Sequence, residues 1–135
     1  MIAVETAARL RDCGVRWDPV GGDRFVVEEP EMAGQVFVVS DMTVEVHRHP
    51  HGTVIGFNGT TEWALDSVAQ DRALWLPRES QLRTLLGGTF RRLERDNAGR
   101  WTVHIQVGER PFTAAHDDPE QAYALALLNL VDSGD

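Results

Sequence analysis

The residues best suited to chemistry lie in one short stretch, Glu45-Val46-His47-Arg48-His49-Pro50-His51. If this stretch is extended, Glu45, His47 and His49 project from one side, because side chains alternate along a strand. Neutral imidazoles at that spacing can share a zinc or nickel ion, and a carboxylate can add a further ligand. The sequence therefore predicts a candidate metal site at Glu45, His47, His49 and His51. A solvated hairpin tip, bent at Pro50, explains the same residues.

The second cluster with binding chemistry is rich in arginine. Residues 78–110 hold seven arginines against four acidic residues, in a chain whose net charge is −8. Guanidinium groups suit anion recognition, but pairing with acidic side chains of the same fold is the default. We expect Arg91 and Arg95 on one face of a hairpin and Arg92 on the other. Since nucleic-acid binding needs an electropositive surface, we expect no nucleic-acid partner.

Motifs with a catalytic mechanism are absent from the sequence. It contains no phosphate loop, no dinucleotide-binding glycine motif, no nucleophile elbow and no H-E-x-x-H. Cys13, the single cysteine, has no nearby histidine base, and we expect it to be a small buried side chain. The sequence thus favours a protein that is not an enzyme and uses no cofactor.

The elements that must position these residues follow from the hydrophobic periodicity. It predicts an α+β fold with antiparallel sheets and with helices at both termini and in the middle. Helices are expected from Val4 to a stop at Gly14, and at 61–70, 77–86 and 119–131. Strands are expected at 24–28, 35–39, 42–48, 53–57, 89–95 and 101–107, with a short edge strand at 111–114. At 135 residues, with no repeat or linker, we expect one compact domain over 1–135.

Local signals define the C-terminal part further. Phe90 and Leu93 fall on opposite phases of their strand, which predicts a bulge, and residues 96–100 form a five-residue hairpin loop. Prolines 77 and 119 are expected at the first position of their helices. Gln121 is expected to complete a capping box at the start of the last helix.

The last helix is apolar on nearly every side. Such a helix lies either at the centre of a core or at a contact with another subunit. We expect a homodimer as one outcome, with Tyr123, Leu127 and Leu130 as candidate interface residues. A fully apolar helix thus indicates burial without deciding what covers it.

Compartment signals are few. The first residues carry no basic segment followed by a long apolar run, and the longest apolar run, residues 122–128, is too short to span a bilayer. A single cysteine fits a reducing compartment. We therefore expect a cytoplasmic protein without a membrane partner.

Three segments carry a resemblance to known proteins: residues 36–46, 55–68 and 74–77. They are similar to a set of small actinobacterial proteins of unknown function, some of which carry a pilus-assembly label. The ATPases usually meant by that label need a phosphate loop, which this sequence lacks. The resemblance implies a bacterial cytoplasmic protein with no established activity.

These observations favour a non-enzymatic intracellular protein that binds another protein or a second copy of itself. An immunity or antitoxin-like inhibitor is one such protein. The alternative is a module that binds a small ligand or a divalent metal through the histidine cluster or through the arginine-rich hairpin. An enzyme with an unrecognised site is the third hypothesis.

Overall fold

A computed structural model describes residues 1–39, 46–49, 52–55 and 72–132 of the chain. Helices and antiparallel strands are mixed along these ranges, which confirms the predicted α+β class. The helices are α1 (Val4–Asp12), α2 (Glu79–Leu86) and α3 (Pro119–Asp132). The strands are β1 (Arg24–Val27), β2 (Phe37–Val38), β3 (Val46–His49), β4 (Gly52–Ile55), β5 (Ala73–Leu76), β6 (Phe90–Arg95), β7 (Trp101–Val107) and β8 (Arg110–His116).

The chain divides into two compact units. The first unit combines Met1–Val15 with Pro77–Asp135, and the second unit is Arg16–Leu76. The single domain over 1–135 stays a prediction. The predicted helix at 61–70 lies outside the described residues, as do residues 42–45 of a predicted strand.

Helix α1 forms where the sequence predicts it. Gly14, just beyond its end, has a φ of 98°, the left-handed conformation that favours glycine at a helix terminus. The buried residues of α1 are Thr6, Ala7 and Leu10, and Thr6 contacts Gln121 of α3. Val4, although apolar, is 44% exposed.

Helix α2 begins later than predicted. It starts at Glu79, so Pro77 precedes the helix and is not its first residue. Leu82 and Leu86, one turn apart, are 0% and 2% exposed. Leu85 is 37% exposed, because it lies off the face that these two leucines share.

The first unit contains an antiparallel sheet in the order β6-β7-β8, called the C-terminal sheet below. The predicted five-residue loop at 96–100 joins β6 to β7. The predicted bulge is confirmed, since the register shifts between Phe90 and Arg92. Val103 and Ile105 of β7 are 0% and 2% exposed and form the buried face of the sheet.

Helix α3 is the centre of the first unit. It contacts β7 and β8 of the C-terminal sheet and also α1 and α2. The ring centroids of Tyr123 and Phe90 lie 5.7 Å apart, a separation typical of favourable aromatic pairs. Surrounding elements on several sides explain why a helix can be apolar almost all round within one small unit.

The second unit is built around β1, which pairs antiparallel with both β2 and β5. Strand β5 was not among the strands predicted from the sequence. Its Trp75 pairs with Phe25 of β1. The core contains Phe25, Val27, Val39 and Ala73, with Trp17, Met32 and Phe37 packed against it.

The loop that leads into β1 is fixed by a buried carboxylate. Asp23 is 1% exposed, and its Oδ2 accepts hydrogen bonds from Nε1 of Trp17 at 2.9 Å and from the backbone N–H of Val20 at 3.0 Å. Hydrogen bonds of this kind offset the free-energy cost of burying a carboxylate. Asp23 therefore has a structural role in the turn that leads into β1.

Candidate functional site

Strand β8 is longer than the sequence suggested. An edge strand of residues 111–114 was expected, but β8 runs from Arg110 to His116 and pairs with β7 along its whole length. The full length of β8 could not be predicted from its own residues, because Pro111 weakens the strand signal at the beginning of β8. In the C-terminal sheet, β8 is an outer strand, with β7 as its neighbour among the described strands.

The turn between β7 and β8 determines which backbone groups of β8 point toward β7 and which point away from it. Gly108 has a φ of 61°, and no described residue other than glycine has a positive φ, so Gly108 and Glu109 form a type II′ turn. A two-residue turn of this type is flanked by a hydrogen-bonded pair, here Val107 and Arg110. Every second pair along the ladder is then hydrogen bonded in the same way.

The residues between those pairs form an open edge. Pro111, Thr113 and Ala115 alternate with the bonded positions, so their backbone groups point away from β7. Pro111 agrees with this assignment, because it pairs with Gln106 and has no N–H to donate to it. All three residues are exposed and uncharged. We call the outward backbone groups of Pro111, Thr113 and Ala115 the open edge.

One acceptor of the open edge is already occupied. Nη2 of Arg100 donates to the carbonyl oxygen of Ala115 at 3.2 Å, and Nε of Arg100 lies 3.9 Å from Oδ1 of Asp117. The backbone of Arg100 is held in turn by Asp96, whose Oδ1 accepts hydrogen bonds from the N–H groups of Ala98 and Arg100, each at 2.9 Å. The hairpin loop thus positions one guanidinium at the end of β8.

The opposite edge of the C-terminal sheet is protected. Four of the six residues of β6 are charged, and the bulge interrupts its ladder; both features discourage pairing with another strand. Nε of Arg92 lies 2.8 Å from Oε1 of Glu94, and Nε2 of His104 lies 2.5 Å from the same oxygen. The hydrogen bond and charge of Arg92, with a smaller effect of His104, hold the pKa of Glu94 below its ordinary value of 4.5.

The remaining arginines of the hairpin also contact their own unit. Nη1 of Arg91, which lies in the bulge, donates to the carbonyl oxygen of Gly88 at 2.7 Å. The guanidinium of Arg95 lies over the ring of Trp101, 5.4 Å from its centroid, a cation–π contact. These arginines therefore do not converge on one point, because each contacts a different group of the first unit.

A polar network that the sequence did not predict joins α1 to the start of α3. Gln121 was expected to complete a capping box, but its Oε1 accepts from the N–H of Ala3 at 2.9 Å and its Nε2 donates to Oγ1 of Thr6 at 2.7 Å. Asp118 does cap α3, since its Oδ1 accepts from the N–H of Glu120 at 2.9 Å. Tertiary partners thus replace the local partner that the capping-box pattern suggested.

Charged groups extend the same network. The α-amino group of Met1 donates to Oδ2 of Asp118 at 2.7 Å, and Oε2 of Glu120 accepts from the N–H of Glu79 at the start of α2 at 2.9 Å. Burial alone would raise the pKa of Asp118, but hydrogen bonds from the α-amino group and from backbone N–H groups outweigh it and lower that pKa below 3.8. The network is a structural link between three helices.

The predicted metal ligands lie mostly beyond what the structure describes. Glu45 and His51 fall outside the described residues, and His47 and His49 belong to β3, which pairs with β4. Among the described residues, no group of three His, Cys, Asp or Glu side chains is placed to hold a metal ion. Metal binding at Glu45, His47, His49 and His51 stays a prediction.

The predicted interface residues are placed mainly inside the first unit. Tyr123 is 0% and Leu127 1% exposed, whereas Leu130 is half-buried. Burial, followed by the negative charge of Glu79, raises the pKa of Tyr123 above 10.0. The central position predicted for the last helix is thus found for Tyr123 and Leu127, and a subunit contact of α3 stays a prediction. Cys13 is exposed, which corrects the expectation that it is buried.

Comparison with known proteins returned no matching family model, no matching curated protein and no matching solved structure. The resemblance to small actinobacterial proteins therefore stays an expectation. In the described part of the chain, no helix combines the length and apolar character needed to cross a membrane.

Proposed function

We propose that this chain is a non-enzymatic protein-binding domain of the bacterial cytoplasm, and that it binds an extended protein segment along β8. The observation that carries this proposal is the open edge: the outward backbone groups of three exposed, uncharged residues in a strand that is outermost among the described strands of its sheet. A strand in this position is a template for a further strand, and many proteins recognise extended segments in this way.

The contrast between the two edges supports β8 as the binding side. Natural sheets blunt edges that must stay unpaired with charges, bulges and prolines. Strand β6 has charges at four of six positions together with a bulge, whereas residues 111–115 of β8 have Pro111 but no charged side chain. The two edges of the sheet therefore differ in their suitability for pairing with a further strand, and β8 is the better suited.

Backbone hydrogen bonds provide the binding in this proposal, and side chains provide the selectivity. Thr113 lies opposite His104 in the ladder, and both alternate with the buried positions of their strands. A bound segment would add its own side chains beside these residues on one face of the sheet. The exposed free thiol of Cys13 agrees with a reducing compartment.

Thr113→Pro tests the proposal, because it removes an outward N–H and leaves every bond to β7 in place. The matched control is Thr113→Val, which keeps that N–H. Each purified variant is immobilised and exposed to a bacterial lysate, and retained proteins are identified by mass spectrometry. A protein retained by wild type is then purified and added to the free chain.

We expect wild type and Thr113→Val to retain the same proteins and Thr113→Pro to lose them. The purified partner should slow amide hydrogen exchange at Thr113 and Ala115. Equal retention by all three chains, with unchanged exchange at both amides, would show that binding does not use the open edge.

A further inference from the structure

The open edge has a hydrogen-bonding pattern that matches itself. After the bond from Arg100 to Ala115 is counted, four outward groups have no partner in the part of the chain that the structure describes: the C=O of Pro111, the N–H and C=O of Thr113, and the N–H of Ala115. These are two donors and two acceptors, arranged symmetrically about Thr113. A two-fold symmetric contact requires this kind of self-complementary surface.

We propose that the partner of the open edge is a second copy of this chain, bound antiparallel with Thr113 facing Thr113 of the second copy. This inference rests on the proposed function of the edge. In this register the two Thr113 residues exchange N–H···O=C bonds, and the N–H of each Ala115 reaches the C=O of Pro111 in the other copy. All four remaining groups of each edge are then used.

The position of Arg100 explains why this register is complete. Pro111 has no N–H, so the C=O of Ala115 across the pair would lack a donor from the second copy. That carbonyl is the one to which Nη2 of Arg100 donates. The one bond that proline cannot make is thus supplied from within each chain. A shift of register by two residues in one direction would place Pro111 opposite Thr113. A shift in the other direction would place Ala115, whose carbonyl is already bonded to Arg100, opposite Thr113. Either shift pairs fewer outward groups.

The contact is small, and we expect dissociation at micromolar concentrations or above. Sedimentation or light scattering of the purified full chain between about 1 and 500 µM measures this directly. We expect a concentration-dependent rise toward twice the 15.0 kDa chain mass. Thr113→Pro loses two reciprocal bonds, so its dissociation constant should rise at least about tenfold, whereas Thr113→Val should remain like wild type.

Cysteine pairs test the register in a Cys13→Ser background. Facing residues of a hydrogen-bonded antiparallel pair have Cα atoms about 5.5 Å apart, within disulfide range. Thr113→Cys should therefore form a covalent dimer under mild oxidation. Ala115→Cys is the matched control, since position 115 is also exposed on the same edge but would lie roughly 14–15 Å from its own counterpart. This test stands even if Thr113→Pro fails to fold.

Each outcome decides the question. A monomeric wild type without Thr113→Cys cross-linking overturns the second-copy inference, while retention of another protein through Thr113 would still support the proposed function. A dimer that persists in a folded Thr113→Pro chain uses another surface and overturns the inference too. Equal cross-linking of Thr113→Cys and Ala115→Cys overturns the register. If Thr113→Pro alters neither self-association nor partner retention, both proposals fail.

Discussion

Replacing Gln121 with methionine should destabilise the chain far more than its position at a helix start suggests. Gln121 is 9% exposed and Thr6 is 7% exposed, and the glutamine satisfies both the hydroxyl of Thr6 and the N–H of Ala3. Methionine fills a similar volume but leaves both groups without their partner. An unsatisfied buried polar group costs about 1–3 kcal/mol. The N–H of Ala3 is only partly buried and can be hydrated, so the loss comes mainly from the Thr6 hydroxyl, and the free energy of unfolding should fall by about 1–3 kcal/mol.

The assay is urea unfolding followed by circular dichroism, with the free energy of unfolding taken from the midpoint and slope. Gln106→Met is the matched control, because Nε2 of Gln106 donates to the carbonyl oxygen of Gly108 at an exposed site. That control should change the free energy of unfolding by less than about 0.5 kcal/mol. Hydrogen exchange adds a local measurement, since the Ala3 amide should lose protection in Gln121→Met.

A double-mutant cycle with Thr6→Val isolates the buried pair. Removing both polar partners is cheaper than removing one, so the double variant should be more stable than the sum of the single effects predicts, by about 1 kcal/mol. If Gln121→Met unfolds within about 0.5 kcal/mol of wild type, or if the cycle shows no coupling, the network does not stabilise the first unit as argued.

Four further predictions follow from the same contacts. Leu127→Asp places a carboxylate at a site that is 1% exposed and should lower the free energy of unfolding by more than about 4 kcal/mol in a melt; a normal melting temperature would contradict the central position of α3. An Arg91→Ala, Arg95→Ala double variant loses two exposed hydrogen bonds of Arg91 and the cation–π contact of Arg95, so it should melt within a few degrees of wild type. Wild type should bind no labelled oligonucleotide at physiological salt in a polarisation assay. Micromolar zinc should not raise the melting temperature of wild type; a rise that His47→Ala abolishes would establish the metal site. The pKa of Asp118 in the folded chain is depressed below 3.8. Its carboxylate therefore contributes to the free energy of unfolding above pH 3.8, and that contribution is lost as the pH falls through the folded pKa. The stability difference between wild type and Asp118→Asn should shrink in that acid range, and a constant difference from about pH 7 to about pH 2 would refute the prediction.

Features set by neighbouring residues were predictable from the sequence. The bulge of β6 follows from the phases of Phe90 and Leu93, and the loop at 96–100 follows from turn residues between two alternating segments. The end of α1 at Gly14 likewise depends on one local conformation. In these cases the physical cause lies within a few positions of the effect.

Features set by distant partners were not predictable. Strand β5 exists because it pairs with β1, more than forty residues earlier, and Pro77 beside it resembled a helix start. Gln121 fits a capping box by spacing, but α1 offers it two buried partners. The open edge needs the strand order and the turn at Gly108, although Pro111 at an outward position was a signal that could have indicated an edge.

The bulge at Arg91 has a consequence for how far the C-terminal sheet can grow. In the proposed pair of chains joined through β8, the two copies of β6 would lie outermost among the described strands, each interrupted by the bulge and largely charged. Neither would be suited to accept another strand. The proposed association would therefore end at two chains and would not continue into an open-ended fibre.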